Sequence, residues 1–112
     1  MTRGMPERPT EPMQELSEHE AAVFGAELGG ECASVDLHGM TIREATDALD
    51  ASLDTEFMAG TEVVKIIHGR GEQKLRKAVE ALLSTHQLVE YWRGSNAPTQ
   101  AGAVTYAALA RK

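Results

Sequence analysis

Two stretches of this chain repeat one pattern: a run that reads as a β-strand, a His-Gly turn, then a helical stripe. In the first, Ala33, Val35 and Leu37 alternate with Ser34, Asp36 and His38, a period of two. Gly39 ends the run. Thr41-Ile42-Arg43-Glu44 then forms a capping box, the Thr41 hydroxyl accepting from the Glu44 amide while the Glu44 carboxylate reaches back. Ile42, Ala45, Leu49, Leu53 and Phe57 follow as an apolar stripe of near-helical period, and Gly60 is the expected stop. In the second stretch, Glu62-Val63-Val64-Lys65-Ile66-Ile67 is β-branched and nearly continuous, as in a central strand. It ends in His68-Gly69-Arg70-Gly71, and a helix is expected from near Glu72 to about Thr85, with Leu75, Val79, Leu82 and Leu83 inward. A strand–helix–strand connection is right-handed and makes the two strands parallel, which restricts the chain to an α/β fold.

Beyond this pair, Leu88–Arg93 reads as a strand, with Tyr91 and Trp92 on opposite faces so that one enters the core and one faces out. Gly94 to Gly102, containing Pro98, reads as a loop, and Ala103 to Leu109 as a last strand. The order is β-α-β-α-β-β. Upstream, residues 1–12 hold three of the four prolines and read as disordered. Residues 13–29 read as an extra helix with Leu16, Val23, Phe24 and Leu28 toward one side, ended by Gly29-Gly30.

A chain of 112 residues with 42% hydrophobic content supports one core and one domain. No run approaches the roughly 20 apolar residues that span a bilayer. The first residues carry no apolar run of the secretory kind, and the single Cys32 has no internal disulfide partner, so a cytoplasmic setting is expected. The net charge of −6 argues at first against a polyanionic partner. Its distribution is uneven: residues 1–34 carry two positive and seven negative charges, whereas the remainder carries nine and ten. Within that remainder Lys65, Arg70, Lys74, Arg76 and Lys77 face only Glu72, a basic patch in an acidic chain. The acidic face of the extra helix suits a protein partner instead.

In a parallel pair both strand ends lie on one edge of the sheet, about 4.8 Å apart if the strands are neighbours. That edge is where α/β sheets bind ligands. His38 and His68 should therefore converge. Asp36, two residues before His38, shares its face and suits an acid–base pair, since a carboxylate fixes the imidazole tautomer and raises its pKa. Gly69 and Gly71, followed by a helix N-terminus, make a phosphate cradle to which Arg70 and Lys74 add charge. The plain alternatives are a loop-capping Asp36 and structural imidazoles at 38 and 68. His19 and His86 read as ordinary surface or helix-end residues. A second chemical reading has Asp36, His38 and His68 share a divalent metal ion that activates water. With aromatic residues at 4%, a base-stacking platform is disfavoured.

Val35-Asp36-Leu37-His38-Gly39, then His68-Gly69-Arg70-Gly71 one helix and one strand later, then Leu75-Arg76, closely resemble the Smr (small MutS-related) domain. Gly102-Ala103-Val104-Thr105-Tyr106 with Leu109 resembles that family's glycine-led last strand. The resemblance covers roughly residues 33–109, leaving 1–32 as an N-terminal extension to a domain over 33–112. It implies a two-layer α/β sandwich of βαβαββ order with a mixed sheet. It implies binding to DNA or RNA and, for several members, endonuclease activity. The settings it implies are DNA repair and, for free-standing bacterial members, messenger RNA on collided ribosomes. By the same resemblance, cleavage falls to Asp36 and His38. Substrate binding, with a share in catalysis for His68, falls to His68, Gly69, Arg70 and Gly71. Lys74, Arg76 and Lys77 extend the expected binding surface, and no metal is required. The sequence departs from the family at Glu72-Gln73, where members carry Thr-Gly, and at the glycine-poor Thr99-Gln100-Ala101. The expected function is therefore an endonuclease favouring RNA; the alternatives are a non-catalytic nucleic-acid-binding module, or a protein whose acidic helix docks a ribosome or another protein.

Overall fold

The computed structural model describes residues 10–111, with side chains described from residue 18 onward. Its elements are α1 (Thr10–Glu27), β1 (Ala33–Asp36), α2 (Ile42–Met58), β2 (Val63–Ile67), α3 (Gln73–Thr85), β3 (Val89–Gly94) and β4 (Val104–Leu109). Four strands form one mixed sheet in the order β1-β2-β4-β3. β1 and β2 are parallel, with Asp36 opposite Ile67, while β4 runs antiparallel to both β2 and β3. The α/β class, the mixed sheet and the βαβαββ order all stand as expected.

The capping box is formed in full: Thr41 Oγ1 accepts from the Glu44 amide at 3.1 Å and Glu44 Oε1 from the Thr41 amide at 3.0 Å. That start sets the rotation of α2, so Ala45, Leu49 and Leu53 are buried against Leu75, Val79 and Leu83 of α3. Val64, Ile66, Ala107 and Leu109 supply the sheet side of this core. Ile42 is the exception to the expected stripe: in the first helical turn it lies beyond the edge of the core and is exposed.

The opposite face of the sheet is covered by α1. Val23 is buried among Val63, Val104, Tyr106 and Ala108, with Ala22 and Ala26 beside it. The described part of the helix runs from Thr10, so residues 10–12 are helical rather than disordered. The expectation for residues 1–9 lies outside the described residues, as does the side chain of Leu16. Phe24 and Leu28, expected inward, are 54% and 70% exposed. The stripe that docks is the small-residue one at 22, 23 and 26, because a helix lying flat on a sheet packs closest through small side chains. Coverage of both faces also changes the expectation for β3: Trp92 packs on the α2–α3 side and Tyr91 on the α1 side, each half-buried. Among the described residues no helix is long and apolar enough to cross a membrane.

Candidate active site

β1 ends at Asp36, and the Leu37 amide still bonds Ile67 O at 2.7 Å, which carries the pairing with β2 one residue further. Leu37 is fully buried, so Asp36 and His38 on either side of it are turned to solvent. Asp36 Oδ1 accepts from the His38 amide at 3.1 Å and lies 2.7 Å from His38 Nδ1. Nδ1 therefore carries the bonded proton. Nε2, on a ring whose side chain is 66% exposed, is left to take or give one. The hydrogen bond to Asp36, Asp36's charge and then that of Glu72 raise the His38 pKa. The same bond lowers the pKa of Asp36, so the pair holds together as carboxylate and imidazole or imidazolium.

The second turn lies against the first. Gly69 has φ +94°, and a Cβ there would stand 3.3 Å from both His38 Cβ and Glu72 Cγ. Glu72 caps α3 by position but makes no capping bond; its Oε2 instead accepts from the Gly39 amide at 3.4 Å. Glu72, where the sequence departs from the family pattern, thus ties the two His-Gly turns to each other. The His68 and Gly69 amides both donate to Ala103 O, at 3.0 and 3.1 Å. The amides that point past the start of α3 are those of its first turn, ahead of the first helical bond from Arg76 N to Glu72 O at 2.9 Å.

Of the two histidines expected to converge on this edge, His38 presents its ring to solvent and His68 is fully buried. Its Nε2 lies 2.9 Å from Thr105 Oγ1, also fully buried, and burial is the main cause of its lowered pKa. β4 is inserted beside β2, and it brings Thr105 to this ring. The one signal for that partner is a polar residue within an otherwise apolar strand. Among the described residues, Asp36, His38 and His68 do not bring their ligand atoms within reach of one ion. The trio that does is Asp50, Asp54 and His86, on α2 and at the C-terminal end of α3. There His86 Nε2 meets Asp50 Oδ1 at 2.8 Å and Nδ1 accepts from the Leu88 amide at 3.2 Å, so His86 joins α2 to the start of β3 and is more than a helix-end residue.

The expected basic patch divides. Lys74 and Lys77 are exposed on one side of α3 near its N-terminus. Arg76 lies on another side, half-buried, with its Nε 3.1 Å from Glu80 Oε2 and close enough to His68 to lower that ring's pKa. Lys65 is on the α1 face of the sheet and lines an open cavity of about 1110 Å³ with Glu27, Cys32 and Tyr106. Arg70 is exposed, but it already donates from Nη2 to Thr99 O at 3.0 Å and from Nε to Ala101 O at 3.3 Å. It holds the β3–β4 loop and leaves the other edge of its guanidinium for a ligand. Sequence reasoning missed Arg93 altogether. Its guanidinium grips the Glu27 carboxylate of α1, and nothing in a spacing of 66 residues announces that pair.

Residues 35–110 match the model of the Smr domain. Two relatives, each an "Endonuclease MutS2", are similar over shorter stretches. That of Thermomicrobium roseum is 41% identical over 58 residues, 52% of this chain and 7% of its own length. That of Symbiobacterium thermophilum is 40% identical over 75 residues, 67% of this chain and 10% of its own. The crystal structure of the Smr domain of Thermus thermophilus MutS2 superimposes with a TM-score of 0.67 at 29% identity, covering 70% of this chain and 98% of that one. The chain thus spans a tenth or less of the length of these two relatives.

Proposed function

The chain belongs to the Smr domain family, and from that premise we propose that it is an endonuclease that cleaves phosphodiester bonds, favouring RNA over DNA, with His38 as its acid–base group. The observation that carries the reading is the 2.7 Å contact between Asp36 Oδ1 and His38 Nδ1 on an exposed ring beside the start of α3. A neutral His38 takes the proton of the ribose 2′-hydroxyl at Nε2 while Asp36 holds Nδ1–H and steadies the imidazolium that forms. The 2′ oxygen bonds to phosphorus, the bond to the 5′ oxygen breaks, and that oxygen takes a proton from water. The products are a 2′,3′-cyclic phosphate and a 5′-hydroxyl. The amides of the first turn of α3, with Lys74 and the outer edge of Arg70, face the charge that grows on the phosphorane. RNA is favoured because it brings its own nucleophile: one exposed imidazole is then enough, and His68, buried and bonded to Thr105, is not asked to activate water. His68 acts instead as a positioning residue behind the turn. The endonuclease names of the similar relatives support the same reaction class.

The test is incubation of labelled single-stranded and hairpin RNA, and of DNA of the same sequences, with the protein and with His38→Ala, in the presence and absence of chelator. RNA ends bearing a 2′,3′-cyclic phosphate, formed in chelator and lost in His38→Ala, are expected. A folded protein that cuts no nucleic acid, with or without divalent ions, overturns the nuclease reading. Tight, salt-sensitive binding in that case leaves the chain a binding module of the same site.

A further inference from the structure

The most completely bonded carboxylate in the described structure lies outside the His-Gly turns. Glu27, the last residue of α1, has a side chain only 4% exposed. Arg93 donates to it from both terminal nitrogens, Nη1 to Oε2 at 3.1 Å and Nη2 to Oε1 at 3.0 Å. The Ser95 hydroxyl lies 2.9 Å from Oε2, and the amides of Asn96 and Ala97 donate to the same oxygen at 2.6 and 3.3 Å. A guanidinium fork, a hydroxyl and two consecutive loop amides make an oxyanion pocket. The pocket belongs to β3 and the loop after it, whereas its occupant comes from the extension.

Two features set Glu27 apart from an ordinary ion-pair partner. It sits at the C-terminal end of its helix, where the helix dipole disfavours a negative charge, and the last turn carries no basic residue. The helix that carries it docks through Ala22, Val23 and Ala26, with Phe24 left in solvent, and beyond Leu28 the amides of Gly29 (φ +108°) and Gly30 close its end on Ala26 O and Gly25 O at 3.1 and 2.9 Å. With Val23 buried and the helix end closed in this way, the pocket is vacated when the Glu27 side chain alone swings out of it, the rest of α1 staying in place. A crevice of about 300 Å³ continues from the pocket, with Arg76 and Arg93 on its walls and Gly94 and Gly102 leaving room for a backbone to approach. The loop from Ser95 to Ala103 joins this crevice to the proposed cleavage site, because Arg70 holds it at Thr99 and Ala101.

We propose that the Arg93, Ser95, Asn96 and Ala97 pocket is a second phosphodiester-binding site, and that Glu27 is its internal stand-in, displaced when a nucleic-acid strand lies across the β3–β4 loop. A phosphodiester, like a carboxylate, carries one negative charge over two oxygens, so the same donors serve both. The proposal rests on the reading of the chain as a nucleic-acid-binding protein for the source of the diester, though not for the pocket itself. Affinity for a strand is reduced by the fraction of molecules in which the Glu27 carboxylate fills the pocket.

The experiment uses the full chain, Glu27→Gln, Glu27→Ala and Glu27→Gln/Arg93→Gln, each first checked for an intact core by its amide spectrum. Dimethyl phosphate, a diester with no base or sugar, is titrated while the Asn96 and Ala97 amides are followed, with chloride as control. Affinity for a labelled single-stranded RNA is measured in parallel. Expected are selective shifts of those amides in Glu27→Gln and Glu27→Ala, and RNA binding tightened by roughly three- to tenfold, a gain removed by the added Arg93→Gln. Amides that stay unmoved in both single variants, with RNA affinity unchanged, overturn the proposal and make Glu27 a structural staple, whatever the chain does to RNA at His38. Amides that respond to the diester while RNA is left uncut keep the pocket and remove the nuclease reading.

Discussion

At position 38 two carboxylates act on one imidazole. Asp36 bonds Nδ1 and Glu72 adds charge from the start of α3, so the imidazolium persists to higher pH than in an isolated histidine. A general base must be neutral, so the acid limb of the kcat/KM profile on RNA belongs above the ordinary histidine value of about 6.5. Asp36→Asn removes the larger cause; the limb should move back toward that value and the rate fall by roughly 10²-fold or more. A profile that keeps its midpoint in Asp36→Asn would show that His38 is not the titrating base. Gly69 presents a different kind of constraint. Its φ of +94° disfavours any side chain, and at 3.3 Å from where a Cβ would stand His38 Cβ and Glu72 Cγ would have to give way by a few tenths of an ångström. Gly69→Ala should cost roughly 1–2 kcal/mol from backbone strain, a fall of some 4–8 °C in Tm for each of those kcal/mol, and lower cleavage further by parting His38 from Glu72. Thermal melts run beside cleavage assays check both effects.

Among the elements, α1 is held by a narrow face at Ala22, Val23 and Ala26 and by one residue, Glu27, at its end. The Glu27 pKa is lowered from 4.5 to about 2, chiefly by the Arg93 hydrogen bonds. A depressed carboxylate pKa means the stabilisation is full above pH 4.5 and is lost as pH falls toward 2, so docking of α1 should be flat through neutrality and fail across that acid window. Amide exchange at Val23 and Ala26 reads this directly. Glu27→Ala should cost about 2 kcal/mol, since it strands the half-buried Arg93 fork, and the protection of those amides relative to their intrinsic exchange should then no longer fall across that window. The contrast between elements explains how much of the fold was legible. β1, α2, β2 and α3 are written in local signals: the alternation around Val35, the Thr41 capping box, the β-branched run at Val63 and the stripe at Leu75. The adjacency of the two His-Gly turns followed from those, because a parallel crossover places both strand ends on one edge. What did not show were the long-range pairings. Thr105 reaches His68 only because β4 lies between β2 and β3, and Arg93 reaches Glu27 only because α1 lies on the far face. Neither arrangement leaves a spacing in the sequence.

For the whole molecule the question is how a chain of net charge −6 would hold the polyanion proposed as its substrate. Its acidic excess lies largely in the first 34 residues, while Lys74 and Lys77 stand exposed near the start of α3. The field at the proposed cleavage edge is therefore set by a few nearby cations and falls off within a Debye length, about 8 Å at physiological salt. Such a surface makes few phosphate contacts, and the number can be counted. If Lys74, Lys77 and the outer edge of Arg70 each displace one counterion from a single strand, the logarithm of affinity should fall with that of salt at a slope of about −2. Lys74→Gln with Lys77→Gln should bring it to about −0.7, the value for one contact. Glu27→Gln should do the reverse and steepen it by about 0.7, because a strand then gains Arg93 as a further contact. Titration of labelled RNA across a tenfold range of salt gives all three slopes. A slope that ignores the two lysines places the strand away from α3. If the slope also stays unchanged in Glu27→Gln, the RNA meets neither site, and the charge asymmetry of the chain serves some other partner.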